Sequence, residues 1–123
     1  MLFYQKKLLS IGGATFQNDS SITSIDVPNS VTTIGNAAFS GCSKITSVVI
    51  GTGVTSIGRS CFERCTLLSS VTVKAVIPPT LGDNVFLYNA SGRKIYVPIE
   101  SLEQYKVAEG WSVYASDIEG ISI

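Results

Sequence analysis

Ile34–Cys42 reads IGNAAFSGC, and Ile57–Cys65, 23 residues later, reads IGRSCFERC. A chain of 123 residues that repeats itself so closely is read for a period before it is read for helices or strands. Moving outward by the same step, Ile11-Gly12 stands 23 residues before Ile34-Gly35, and Leu81-Gly82 stands 24 after Ile57-Gly58. Five residues past each of these come Phe16, Phe39, Phe62 and Phe86, and three further on Asp19, Cys42, Cys65 and Asn89. Apolar columns follow at Ile22, Ile45 and Leu68, then at Ile25, Val48, Val71 and Ile95. Val27, Ile50, Val73 and Val97 form another, and Val31, Val54 and Ile77 the last. Chance does not align this many columns.

Each unit carries one clear strand. In Ile22-Thr23-Ser24-Ile25-Asp26-Val27 the apolar residues 25 and 27 flank an outward Asp26, a period of two. Pro28-Asn29-Ser30 and Gly51-Thr52-Gly53 supply turn chemistry. A second extended piece at Val31–Ile34 precedes the glycine, and Asn36-Ala37-Ala38-Phe39 has room for about one helical turn. A unit of 23 residues cannot bury its own apolar face, so units must stack, parallel strand on parallel strand at about 4.8 Å.

Composition narrows the function. Hydrophobic residues at 45% and charged residues at 15% describe a packed chain of one domain. Nine basic and nine acidic residues cancel, which gives nucleic acid no electrostatic purchase. The charge is nevertheless uneven: residues 1–97 carry a net +4 and residues 98–123 a net −4. No apolar run approaches the roughly 18 residues of a membrane span, so no membrane insertion is expected. The opening MLFYQKKLLS lacks the basic-then-apolar order of a signal peptide.

The pattern I-x-x-I-x-V-P-x-x-V-x-x-I-G-x-x-A-F-x-x-C, which stands at Ile22–Cys42, resembles the BspA-type leucine-rich repeat. The resemblance covers residues 2–97 and is most specific at 22–73. The tail IYVPIESLEQYKVAEGWSVYASDI resembles the cap that closes such arrays. Ser30 and Gly53 stand where generic leucine-rich repeats place Asn or Cys, so the BspA subclass fits and the generic one does not. The resemblance implies a β-rich fold with some α, a right-handed solenoid of 23-residue turns. Residues 1–97 would form about four turns, the first incomplete, and residues 98–123 a helical cap. It further implies a non-enzymatic interaction module, the C-terminal part of a bacterial surface adhesion-type protein, located extracellularly or on the cell surface. Its partners would be host extracellular or bacterial surface proteins. The alternative is a structural scaffold or array terminator with no ligand of its own.

The two ends read differently. Leu2 and Tyr4 fall in the columns of Ile25 and Val27, so the chain is expected to begin on a strand, either as a fragment of a longer array or from a native start with a bare edge. That bare N-terminal edge is expected to pair weakly with a second copy about a two-fold axis. At the other end Ser101-Leu102-Glu103-Gln104 can form a capping box, and Gly110 suits a helix stop. Ile99, Leu102 and Tyr105 share one helical face, and Trp111, Tyr114, Ala115 and Ile118 continue at helical spacing. This stripe is expected to cover the open core of the last turn.

Nothing in the text points to chemistry or to a cofactor. With no histidine, triads and His-metal sites are ruled out. Glu100 and Glu103 share a helix face but suit a solvated N-terminal turn. Cys42, Cys61 and Cys65 lie inside the repeat, where the column of 42 and 65 asks for a small hydrogen-bonding side chain and the column of 61 only for something small. Free structural thiols are expected, and no metal. Asn18-Asp19-Ser20 and Asn89-Ala90-Ser91 match the glycosylation sequon, a pattern common by chance.

A partner is expected on the outward face of the strands, as in other solenoids. Phe3, Asp26, Val49, Thr72 and Tyr96 form its central row, Lys94 lies beside them after Ser24, Ser47 and Ser70, and Arg93 follows Thr23, Thr46 and Ser69. Tyr96 and Arg93 are the strongest candidates, since both residue types are enriched where binding energy concentrates.

Overall fold

The structure is a computed structural model and describes residues 8–123. In chain order it contains β1 (Ser10–Ile11), β2 (Ser24–Val27), β3 (Thr33–Ile34), β4 (Ser47–Ile50) and β5 (Ser56–Ile57). Then come β6 (Ser70–Val73), β7 (Thr80–Leu81) and β8 (Lys94–Pro98). A 3-10 helix at Ile99–Ser101, α1 (Leu102–Val107), a second 3-10 helix at Trp111–Asp117 and β9 (Ile118–Ile121) complete it. All strand pairings are parallel, in one sheet ordered β1-β3-β5-β7 and a longer one ordered β2-β4-β6-β8-β9. Ser24, Ser47 and Ser70 pair in succession at a register step of 23, and Ser56 pairs with Thr80 at a step of 24. No helix among the described residues is long and apolar enough to cross a membrane. The N-terminal edge at residues 2–4, and its expected pairing with a second copy, lie outside the described residues.

The apolar columns meet between the sheets. Val48, Val71 and Ile95 are buried with Ile50, Val73 and Val97 from the long sheet, and Ile34 and Ile57 from the short one. On the third side Phe16, Phe39, Phe62 and Phe86 stack, with ring centroids 5.3, 5.3 and 5.9 Å apart and planes within 7°. Such face-offset stacks add to the area they bury. The glycine column exists for backbone approach, not for conformation: a Cβ on Gly82 would stand 2.5 Å from Arg59 N.

Three expectations are corrected. The Asn36–Phe39 stretch is a turn, not a helical turn. Ala14, Ala37, Ser60 and Asn84 hold left-handed backbone at φ 56° to 61°, and so do Asn18, Arg64 and Tyr88 at 61° to 62°. The reason is that its N–H groups are spent on the next turn: Phe16, Phe39 and Phe62 donate to the carbonyls of Ala38, Cys61 and Val85 at 2.8, 2.9 and 3.0 Å. A helix would consume those donors internally.

Ile77 is 74% exposed and leaves the column of Val31 and Val54. The extra residue before β7 and the two prolines Pro78 and Pro79 reshape that corner, and Pro79 is buried there.

The third correction concerns the C-terminal segment, which is not helical throughout. Ile118 opens strand β9, pairing with Ile95 of β8, so the long sheet gains one more strand. Ser101 makes no capping bond, and α1 stops at Val107, ahead of Gly110 at φ 83°.

Candidate functional site

The register fixes the outward face of the long sheet. Asp26, Val49, Thr72, Tyr96 and Glu119 are successive partners across β2, β4, β6, β8 and β9. Their neighbours along each strand point inward, as the pleat requires, and Val48, Val71, Ile95 and Ile118 are buried. Asp26 and Glu119 are exposed at the ends of the row, while Val49, Thr72 and Tyr96 are half-buried between them. Ser24, Ser47, Ser70 and Lys94 form the adjoining row, and the Lys94 ammonium reaches the Glu119 carboxylate at 3.4 Å. Both partners of that pair are substantially exposed, so it adds little to stability and leaves the charges accessible.

Arg93 does not join this face. Its guanidinium turns toward the C-terminal segment, where it meets the Asp117 carboxylate at 2.8 Å and lies over the Phe86 and Tyr114 rings. With its side chain only 10% exposed it ties the end of the repeats to the C-terminal segment. Its Nε is buried and meets no acceptor among the described residues. Glu119 is the face residue that sequence reasoning missed. Ile118 fits the end of a helical stripe and the start of a strand equally well, and only the Ile-Glu-Gly-Ile alternation after it hints at β9.

The thiols and their column serve the backbone. Cys42 and Cys65 direct Sγ at the carbonyls of Phe16 and Phe39, 3.1 Å in each case, and Asn89 Nδ2 donates to Phe62 O at 2.9 Å. Phe86 O, the next in line, accepts from Arg93 Nη1 at 2.9 Å. Asp19 cannot donate and instead accepts from Ser21 N–H and Oγ, hydrogen bonds that hold its carboxyl below the usual range. Burial pushes the Cys65 thiol up to about 12 and the Cys61 thiol higher still. All three cysteines are free and buried, which makes them poor nucleophiles. In the second sequon Asn89 Nδ2 is committed to Phe62 O and Cys65 O.

The last turn is finished by side chains. Tyr105 Oη donates to Ala75 O at 2.6 Å, Ser101 Oγ to Val76 O at 2.7 Å and Trp111 Nε1 to Pro79 O at 2.8 Å. Phe86 N–H, whose counterparts donate to the following turn, is accepted by Tyr114 Oη at 3.2 Å. Tyr105, Trp111 and Tyr114 also close the aromatic stack edge-on, with Phe86–Tyr114 centroids at 5.3 Å and Tyr105–Trp111 at 5.0 Å. Loss of water raises the Tyr105 phenol well above its ordinary value.

No curated protein matches the chain. A family model described as BspA type leucine rich repeat region matches residues 2–109 in six copies. The repeated columns, the parallel register and this match, which spans most of the 123 residues, agree: the chain belongs to the BspA-type leucine-rich repeat family.

Proposed function

We propose that the chain is a non-enzymatic protein-interaction module that works outside the cell or on its surface, as part of an adhesion-type protein of bacterial origin. It is read as a right-handed solenoid of 23-residue turns, residues 1–97, closed by a cap at residues 98–123. Host extracellular or bacterial surface proteins dock on the strand face. One observation carries this reading: five parallel strands present the row Asp26–Val49–Thr72–Tyr96–Glu119 in continuous register, flanked by Lys94. Tyr96 is the anchor, because an aromatic ring beside an exposed ion pair combines apolar area with directional charge. The row is short, so affinity accumulates when further repeats extend it. Beads coated with the chain test the idea by their adherence to epithelial cells and to bacteria. Tyr96→Ala is expected to reduce adherence roughly thirtyfold, the scale of a hot-spot residue, while Thr33→Ala on the short sheet leaves it unchanged. Equal adherence of both variants would remove the strand face from consideration.

A second reading has its own support. The carbonyls of Ala75, Val76 and Pro79 and the N–H of Phe86 are all met by side chains of the C-terminal segment. A segment so fitted to one turn suits an array terminator, whose service is structural.

A further inference from the structure

The hydrogen bonds that join each turn to the next stop short at the last one. Ala14, Ala37 and Ser60 donate their N–H groups to the carbonyls of Asn36, Arg59 and Asp83 at 2.9, 2.8 and 2.9 Å. Asn84 takes the next place in that column with the same left-handed backbone, φ 61° against 56° to 59°. Among the described residues nothing accepts its N–H. Two positions on, Tyr114 accepts the N–H of Phe86, so among the described residues the C-terminal segment fills one place and leaves those on either side, at Asn84 and Tyr88, open.

One interior step shows what the open place is shaped to hold. Asn36 Oδ1 accepts the N–H of Arg59 at 2.9 Å, while Ala37 N–H reaches the carbonyl of the same Arg59 at 2.8 Å. A single residue is gripped through both of its main-chain groups. The residue before it must be glycine, because a Cβ on Gly58 would fall 2.5 Å from Asn36 Oδ1 and 2.6 Å from the Gly35 carbonyl carbon. Gly82-Asp83-Asn84 repeats Gly35-Asn36-Ala37, with a carboxylate where Asn36 has its amide oxygen. A cavity of about 250 Å³ opens over it, walled by Gly82, Asp83, Asn84, Gly110, Val113 and Tyr114. Gly110 stands against Leu81 O on one side and Tyr114 against Phe86 on the other, which leaves room for a short segment only.

We propose that this cavity binds the main chain of a Gly-X pair in an extended segment of a partner protein. The N–H of X donates to the Asp83 carboxylate and its C=O accepts from Asn84 N–H, while the glycine lies where no Cβ fits. In the interior copy X is Arg59, held through its main chain alone, so Gly-Arg is the pair that probes the cavity. The site shares no residue with the strand face, and its occupancy does not depend on that face binding anything.

The test uses the full chain, isotopically labelled for amide NMR, titrated with acetyl-Gly-Arg-amide at roughly millimolar concentrations, as suits so small a ligand. Saturable shifts at Asn84 and around Tyr114 are expected. Acetyl-Ala-Arg-amide is expected to bind about tenfold more weakly or worse, since its Cβ must displace backbone. Asp83→Ala is expected to abolish the shifts while leaving the thermal midpoint in place, because among the described residues the exposed Asp83 side chain makes no hydrogen bond or ion pair. The proposal is overturned by unsaturable or absent shifts at Asn84, or by equal affinity for the alanine peptide. It is equally overturned if the Asn84 amide moves with protein concentration alone, which would make a second copy the occupant.

Discussion

Carbonyls on the flank of a turn are met in two ways in this molecule. Through the repeats, the following turn supplies a backbone N–H: Thr55 N–H donates to Thr32 O at 2.8 Å, with the Thr55 hydroxyl at 3.1 Å as a second donor. Thr46 treats Thr23 O likewise, at 2.9 and 3.3 Å. Past Pro98 the chain passes into the two 3-10 helices, α1 and β9, and individual side chains stand in for the next turn. Ala75 O has only Tyr105, Val76 O only Ser101 and Pro79 O only Trp111 among the described residues. At these threonine positions the repeats hold a spare donor, whereas the C-terminal segment depends on single atoms. A buried polar group that loses its sole partner costs far more than one that loses a spare.

Variants along the stack give the largest effects and sharpen the contrast between interior and end. Phe62 is fully buried between Phe39 and Phe86, so Phe62→Ala should cost about 3–5 kcal/mol in a urea melt. Phe16, 38% exposed at the start of the described stack, should cost less than half of that on truncation. Equal losses would mean the rings do not form one continuous core.

The thiols give a smaller, pH-dependent effect. Burial raises Cys61 and Cys65, so the unfolded chain releases their protons first and stability falls as pH rises. The contribution is fully present below the unfolded thiol value of about 8.5 and declines above it, by about 1.4 kcal/mol per pH unit for each thiol, until the folded thiol itself ionises. Urea midpoints measured between about pH 7 and about pH 10 should fall steeply for the native chain and less for Cys65→Asn, which keeps a donor for Phe39 O. Parallel curves for the two proteins would show that the thiols are not buried.

Smallest is a gain. Arg64 holds left-handed backbone at φ 62°, where Gly41 stands one turn earlier. Arg64→Gly should raise stability by roughly 0.5 kcal/mol, relief of a side-chain clash offsetting the extra freedom of the unfolded chain. A loss instead would show that the exposed Arg64 side chain contributes to packing.

The same contrast explains what could be read from the sequence. Columns such as Phe39-Phe62 and Gly35-Gly58 report packing that recurs every turn, so the period alone places them and the parallel register. Cys42 and Cys65 were legible as backbone donors because Asn89 shares their column. Where the repetition ends, legibility ends with it. Arg93 has Thr23, Thr46 and Ser69 as column mates, which places it on the face, yet it turns toward the C-terminal segment because only the last turn has Asp117, Phe86 and Tyr114 beside it. Ile77 was lost to two adjacent prolines and one added residue. The left-handed residues at 37 and 60 are Ala and Ser, and neither residue type signals positive φ.

The most direct measurement compares two single-hydroxyl deletions, Tyr105→Phe and Thr55→Val, by denaturant unfolding under identical conditions. Each removes one donor to a carbonyl and keeps the shape of the side chain. Ala75 O would be left without a donor, while Thr32 O retains Thr55 N–H. Tyr105→Phe is expected to lose about 1–3 kcal/mol and Thr55→Val no more than about 0.5 kcal/mol. Equal losses, or a greater loss at Thr55, would contradict the claim that C-terminal side chains replace the missing turn.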